Sequence, residues 1–275
     1  MIVGVVGLGL IGGSIAKAYK EAGETVYGYD IDKTITDFAM LSGVLDGILD
    51  DDSIRKCQLI HIATYPDAAI GYMTEHAKAF PKDCIVMDDC GTKRKVCKAG
   101  FALARTYGYT YVGAHPMAGT KFSGFKYSRA SMFSGATMII VPPAFDDISL
   151  YDRLKQLLAP LQLKGLVFTT SDDHDQRIAF TSQLAHVVSN AYVKSPSAQR
   201  QKGYSAGSFR DLTRVAWLNE QMWTELFLEN KDNLISEITT IIDNLTQYRD
   251  AMKADNADTL RQLLRDGRIA KEQCG

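Results

Sequence analysis

The 275-residue sequence has no apolar run near the roughly 20 residues that a membrane-spanning helix needs. Its opening stretch, Met1-Ile2-Val3-Gly4-Val5-Val6, is apolar but is interrupted by glycine and has no basic region before it, so it does not read as an export signal. An excess of either charge is missing too: 31 basic and 32 acidic side chains leave a formal net charge of −1. That balance argues against a nucleic-acid partner or a surface built for acidic membranes. Cysteine is sparse and unpaired. Cys57, Cys84, Cys90, Cys97 and Cys274 are odd in number and form no C-x-x-C pair, which excludes a disulfide framework and gives no metal site. These are the reduced thiols of a cytoplasmic protein. Repeats and low-complexity linkers are absent as well.

What remains is an ordinary globular composition, 46% apolar, in a chain long enough for two units sharing a cleft. Up to about residue 170, short β-branched runs alternate with amphipathic stretches, the pattern of a parallel sheet covered by helices. The expected strands are Ile2–Val6, Val26–Tyr29, Leu59–Ala63, Ile85–Asp88, Tyr111–Ala114, Met138–Val141 and Leu166–Thr169. Helical patterns fill Gly13–Ala22, Ala68–Ala79, Lys93–Tyr107 and Ser149–Leu158. From residue 171 onward only the 3.6-residue period is left. The expected fold is therefore α/β, with a Rossmann-like dinucleotide-binding domain over 1–170 and an all-helical domain over 171–275. In Asn219–Arg249 the apolar positions Met222, Leu226, Phe227, Leu234, Ile238, Ile241, Ile242 and Leu245 form one broad stripe. A helix of that length needs a partner, here expected to be a second copy of the chain.

The first strand runs into Gly7-Leu8-Gly9-Leu10-Ile11-Gly12, a G-x-G-x-x-G turn between strand and helix. Gly7 permits the tight turn, Gly9 lets backbone approach a pyrophosphate, and Gly12 lets helix and strand pack closely. The helix that follows offers its N-terminal amides and positive dipole end to the phosphates, and Leu10 and Ile11 of the turn join the expected cofactor contacts. Thr64, just past the strand Leu59–Ala63, joins the expected cofactor contacts. Eighteen residues beyond Gly12, Asp30 ends the second strand. A carboxylate there accepts hydrogen bonds from ribose hydroxyls and repels a 2′-phosphate, favouring NAD over NADP, with Lys33 the one nearby cation that weakens the inference.

Only five histidines are present. His61 lies inside an apolar strand and reads as core; His76 sits on an ordinary helix; His174, within Asp172-Asp173-His174-Asp175, reads as part of a helix start on a solvated face. His115 ends the strand Tyr111–Ala114, and ligands of open α/β sheets gather outside the carboxyl ends of strands.

The loop that follows, His115-Pro116-Met117-Ala118-Gly119-Thr120, resembles the H-P-M-x-G loop of the prephenate and arogenate dehydrogenases, and Ser123-Gly124 and Met132-Phe133-Ser134-Gly135-Ala136 continue the likeness. Asp89-Cys90-Gly91-Thr92-Lys93 is similar to the family's D-x-G-S-x-K turn, and Ser182-Gln183-Leu184-Ala185-His186 to its S-H-L-P-H segment. Ala206-Gly207-Ser208-Phe209-Arg210-Asp211-Leu212-Thr213-Arg214-Val215-Ala216, with Met222-Trp223 and Glu229-Asn230-Lys231, is similar to its G-G-F-x-D-x-T-R-I-A, M-W and E-N run. The resemblance implies a monofunctional NAD-dependent prephenate dehydrogenase of tyrosine biosynthesis. By the same resemblance, His115 is the general base and Thr92 holds it or the substrate hydroxyl. Arg214 grips the ring carboxylate, or else pairs with Asp211; His186 and Gly207 complete the substrate side, and the helical domain dimerises. Three departures stand out: Thr92 replaces serine, Gln183 replaces a histidine and so bears on recognition of the substrate side chain, and Lys121 stands where the family often has an acid. Trp223 reads as core packing. Alternatives are arogenate as substrate, a β-hydroxyacid dehydrogenase or imine reductase, for which the expected lysine motif near Ser182–Asn190 is missing, and an NAD-sensing module without turnover.

Overall fold

The computed structural model describes residues 1–120, 122–204 and 207–274. Lys121 and Ala206, both part of the motifs above, lie outside the described residues. Among the described residues eight strands are formed: β1 (Ile2–Val6), β2 (Thr25–Tyr29), β3 (Gly47–Ile48), β4 (Leu59–Ile62), β5 (Ile85–Asp88), β6 (Thr110–Pro116), β7 (Thr137–Val141) and β8 (Gly165–Phe168). They make one sheet in the order β3-β2-β1-β4-β5-β6-β7-β8. Strands β1 to β6 are parallel, and the helices between them are α1 (Leu10–Glu21), α2 (Lys33–Leu41), α3 (Asp51–Ile54), α4 (Pro66–His76) and α5 (Arg94–Tyr107).

The strand runs are apolar throughout because both faces are covered. Val3, Val5, Leu59, Ile85, Met87, Val112 and Ala114 pack with Ile15 and Tyr19 of α1. Their strand neighbours Val6, Ile60, Ile62, Val86 and Tyr111 face Met73 of α4 and Val96 and Cys97 of α5. The sheet is not parallel to its end, as the alternation suggested. Strand β7 pairs antiparallel with β6, His115 opposite Ile139, and β8 follows β7 in direction after α6 (Ile148–Leu157). A parallel return would need a crossover helix, and among the described residues of 117–136 the helical elements are two short 3-10 turns. Strand β3, two residues long, carries too little pattern to be read from the sequence.

From residue 171 every regular element among the described residues is helical: α7 (Ser171–Ile178), a π-helical segment Ala179–Leu184, α8 (Ala185–Val193), a 3-10 turn Pro196–Arg200, α9 (Gly207–Thr213), α10 (Glu220–Glu229), α11 (Lys231–Lys253) and α12 (Ala257–Cys274). The expected single helix over Asn219–Arg249 is two helices, broken at Asn230. Asn219 caps the first through its side chain, which accepts from the Met222 amide at 2.9 Å. Asn230 is fully buried and makes four side-chain hydrogen bonds, to Arg94, Asn233, Asp175 and Gln183, so the break is a junction where sheet and helices meet.

Candidate active site

The carboxyl ends of β1, β4, β5 and β6 form one crest. At its β1 end Gly7 has φ +82, and a Cβ there would lie 2.6 Å from Thr64 Cγ2 and 2.7 Å from the Ala63 carbonyl oxygen. Only glycine turns here. Gly12 faces the same squeeze: a Cβ would fall on the Gly7 carbonyl oxygen and come within 3.1 Å of Ala63 Cβ. Gly9 is the opposite case, with nothing within 4 Å of a Cβ, and it precedes α1 without any side-chain cap. Open space beside uncapped helix-terminal amides, led by Leu10 and Ile11, fits a pyrophosphate. Asp30 anchors the same turn, because its Oδ2 accepts from the Leu8 amide at 2.7 Å and its Oδ1 from the Asp32 amide at 2.9 Å. Lys33 is turned to Asp37 at 2.6 Å, leaving the acid without a cationic neighbour from that residue.

At the other end of the crest stands His115, partly buried near the end of β6. Three strand spacings of about 4.8 Å separate β1 from β6, so imidazole and glycine turn lie about 14 Å apart along the crest. The partner of His115 is not Thr92. Its Nδ1 lies 2.9 Å from Nε2 of His174, whose Nδ1 lies 2.8 Å from Oδ1 of Asp175. His174 is buried at 1% exposure, which corrects its reading as part of a solvated helix start. It belongs to the first turn of α7, where Thr170 is the N-cap, and the helix turns His174 and Asp175 onto the sheet while Asp172 stays outside.

Burial holds the His115 imidazole well below its ordinary basicity, and the neighbouring His174 and the Lys93 ammonium act in the same direction. Burial also lowers His174, against the hydrogen bond that it donates to Asp175. For Asp175 burial pushes the carboxyl up, but the bond to His174 and the amides of Arg94 and Lys93, at 3.0 and 2.7 Å, outweigh it and keep the group ionised. Lys93 itself is fully buried. Burial alone would lower its ammonium, yet Asp88, bonded to its Nζ and to Tyr111 Oη, holds it above its usual value.

Thr92 donates to Glu229 Oε2 at 2.6 Å, so the hydroxyl expected to aim His115 instead ties the β5–α5 turn to α10. Lys95 pairs with the other Glu229 oxygen at 3.2 Å and with Asp67. Arg94 extends the seam with a fork to Asp232, at 2.7 and 2.5 Å. Gln183 is buried here too. Its amide donates to the Leu226 carbonyl at 3.1 Å and its oxygen accepts from Asn230 at 2.8 Å. The side chain ties the helices together. The His61 reading holds: it is fully buried, 2.9 Å from Asp89 through Nδ1.

On the helical side, His186 donates from Nδ1 to the Ser182 carbonyl at 2.8 Å and stacks on Trp223 with ring centroids 4.1 Å apart. Burial lowers its basicity, and the charge of Arg214 adds to the effect. Arg214 follows α9 and is exposed. Asp211 pairs with Arg210 at 3.7 Å. Gly207 opens α9, and a Cβ there would come no closer than 3.7 Å to Asp211. The residues thus fall into two groups, His115 with His174 and Asp175, and His186 with Trp223 and Arg214. The missed members, His174 and Asp175, had one available signal: a histidine followed by an acid on the first turn of the first helix after the sheet.

A glycine turn at one end of a Rossmann-like crest, a histidine at the other, and helices locked onto the turn between them define a two-part nucleotide-dependent oxidoreductase. Residues 15–166 match the nucleotide-binding domain of prephenate dehydrogenase, and residues 170–266 match its dimerization domain. The chain belongs to the prephenate dehydrogenase family. It is 29% identical to the cyclohexadienyl dehydrogenase of Zymomonas mobilis, over 98% of this chain and 94% of that one. The prephenate dehydrogenase of Bacillus subtilis is also 29% identical, over 92% of this chain and 71% of its own length. The prephenate dehydrogenase of Aquifex aeolicus, solved in complex with hydroxyphenyl propionate and NAD+, superposes with a TM-score of 0.80 at 26% identity, covering all of this chain and 98% of that one.

Proposed function

We propose that this chain oxidises and decarboxylates prephenate to 4-hydroxyphenylpyruvate with NAD, in the formation of tyrosine. The observation that carries the reading is His115: a neutral imidazole at the strand end of a nucleotide-binding crest, held through Nδ1, with Nε2 making no hydrogen bond among the described residues. When bound, NAD supplies the hydride acceptor. His115 takes the proton of the ring hydroxyl, and its depressed basicity keeps it in the base form at neutral pH. Arg214 binds the ring carboxylate, and His186, stiffened by Trp223 and Ser182, binds the substrate's other polar end near Gly207. Gly7, Gly9, Leu10, Ile11, Gly12, Asp30 and Thr64 hold the dinucleotide, and Thr92 acts through the seam with Glu229.

Residues 1–170 serve as the dinucleotide domain and 171–275 as the dimerisation and substrate domain. Ile235, Ile242, Leu245 and Met252 of α11, all more than half exposed in the single chain, supply an apolar face for a second copy. The protein works in the cytoplasm, where Cys57, Cys84, Cys90, Cys97 and Cys274 stay reduced. The test is steady-state NADH formation with prephenate and, separately, arogenate. Prephenate-dependent turnover is expected; turnover with arogenate alone would change the substrate, and none with either would overturn the reading.

A further inference from the structure

We propose that His174 and Asp175 are positioning residues of the reaction, a two-step relay that fixes the proton on Nδ1 of His115 and so makes Nε2 the atom that accepts the substrate's hydroxyl proton. The inference rests on the reading of His115 as the base. Hydrogen-bond logic gives the tautomers. An ionised Asp175 only accepts, so His174 carries its proton on Nδ1, at 2.8 Å from that carboxylate. Neutral His174 then has a lone pair on Nε2, and His115, 2.9 Å away, must donate from its own Nδ1. His115 Nε2 is left bare. Both hydrogen bonds lie within the chain, so the base is set before the substrate arrives.

The surroundings favour that order of protons. Asp175 is held in place by the Lys93 and Arg94 amides and by Arg94 Nε at 3.3 Å, three donors that keep the carboxylate from rotating. The charged and titratable groups around the relay are Lys93 at the start of α5, Asp88 at the end of β5, Arg94, Asp173 and Cys97. Lys93 pairs with Asp88 but still lowers both imidazoles, while Asp175 and Asp88 raise His174. In the reaction the hydroxyl proton moves to Nε2, the O–H electron pair becomes the carbonyl π-bond, and the carbinol hydrogen leaves with its pair for the nicotinamide. The ring carboxylate then departs as carbon dioxide, its bonding pair makes the ring aromatic, and the phenolate oxygen takes the proton back from Nε2. While His115 is an imidazolium, its Nδ1 proton remains donated to His174, and the Asp175 charge two hydrogen bonds away offsets the positive charge in a poorly solvated place.

The experiment compares the parent enzyme with His174→Gln across pH. Glutamine can still accept from Nδ1 but cuts His115 off from the carboxylate. Expected are a kcat lower by at least about tenfold, with a KM for prephenate and an NADH affinity within about twofold of the parent. Asp175→Asn keeps the shape and removes the charge that offsets the imidazolium, so it should lower kcat and move the acid limb of kcat/KM to lower pH, and it serves if His174→Gln does not fold. A parent that turns over prephenate while a folded variant keeps its kcat and its acid limb would overturn the relay. A parent without turnover would instead overturn the function on which it rests.

Discussion

The two inner glycines of the crest should fail in opposite ways when changed to alanine. At Gly9 the backbone is extended, with φ −72 and ψ −151, and an added methyl group meets no atom within 4 Å. Folding should therefore suffer only the small difference between glycine and alanine at a helix start, about 0.5–1 kcal/mol. The methyl would occupy the space through which a pyrophosphate reaches the α1 amides. Losing one charge-assisted hydrogen bond there costs about 1.5–3 kcal/mol, or roughly 10- to 150-fold in NADH affinity. At Gly12 the methyl falls on the Gly7 carbonyl oxygen and presses on Ala63. Neither neighbour is a flexible side chain, so the turn must move, at about 3 kcal/mol or more. At about 2–4 °C per kcal/mol that is a fall in Tm of about 6–12 °C. Thermal melting of the two variants together with fluorescence titration of NADH separates the effects. Gly9→Ala binding NADH within twofold of the parent, or melting as low as Gly12→Ala, would refute the reasoning.

Asp30→Ala should reduce the preference for NAD over NADP, if the carboxylate meets the ribose as proposed, and also weaken both cofactors, because it holds the Leu8 amide of the glycine turn; unchanged selectivity would remove the acid as selector. Arg214→Ala should chiefly raise KM for prephenate, and an unaltered KM would take Arg214 out of the site. His115 has its folded-state pKa well below the usual imidazole value of about 6.5, so the acid limb of kcat/KM should lie well below that pH. The same shift makes the unfolded chain the stronger proton acceptor: stability is full above about pH 6.5 and should fall as pH drops from there toward the folded value, measurable as a falling Tm. Arg94→Ala should cost about 2 kcal/mol, a Tm lower by about 4–8 °C, since it opens the fork to Asp232 and leaves the buried Asp175 with one charged donor fewer.

The sheet was legible because its strands are buried on both faces and so appear as unbroken apolar runs between glycines. The direction of β7 was legible only in a negative sign, the missing helix between Pro116 and Thr137. Gly7 and Gly12 could be read because each answers a local steric demand. His174 could not be read that way. A histidine among three aspartates looks solvated, and only the packing of α7 on the β5–α5 turn shows which side of the helix is inside. Thr92 and Gln183 are polar residues within motifs, and which polar group each one meets in the chain depends on how α10 lies against the sheet. The π-helical segment Ala179–Leu184 shifts the phase of the helix between His174 and His186, so a plain 3.6-residue count does not carry a face across it.

The most direct test of the whole account is the turnover of His115→Asn on prephenate, with NADH binding measured on the same preparation. The account predicts a kcat lower by about 100- to 10,000-fold and an NADH affinity within about twofold of the parent. Turnover within tenfold of the parent, or an equal loss of NADH binding, would contradict it.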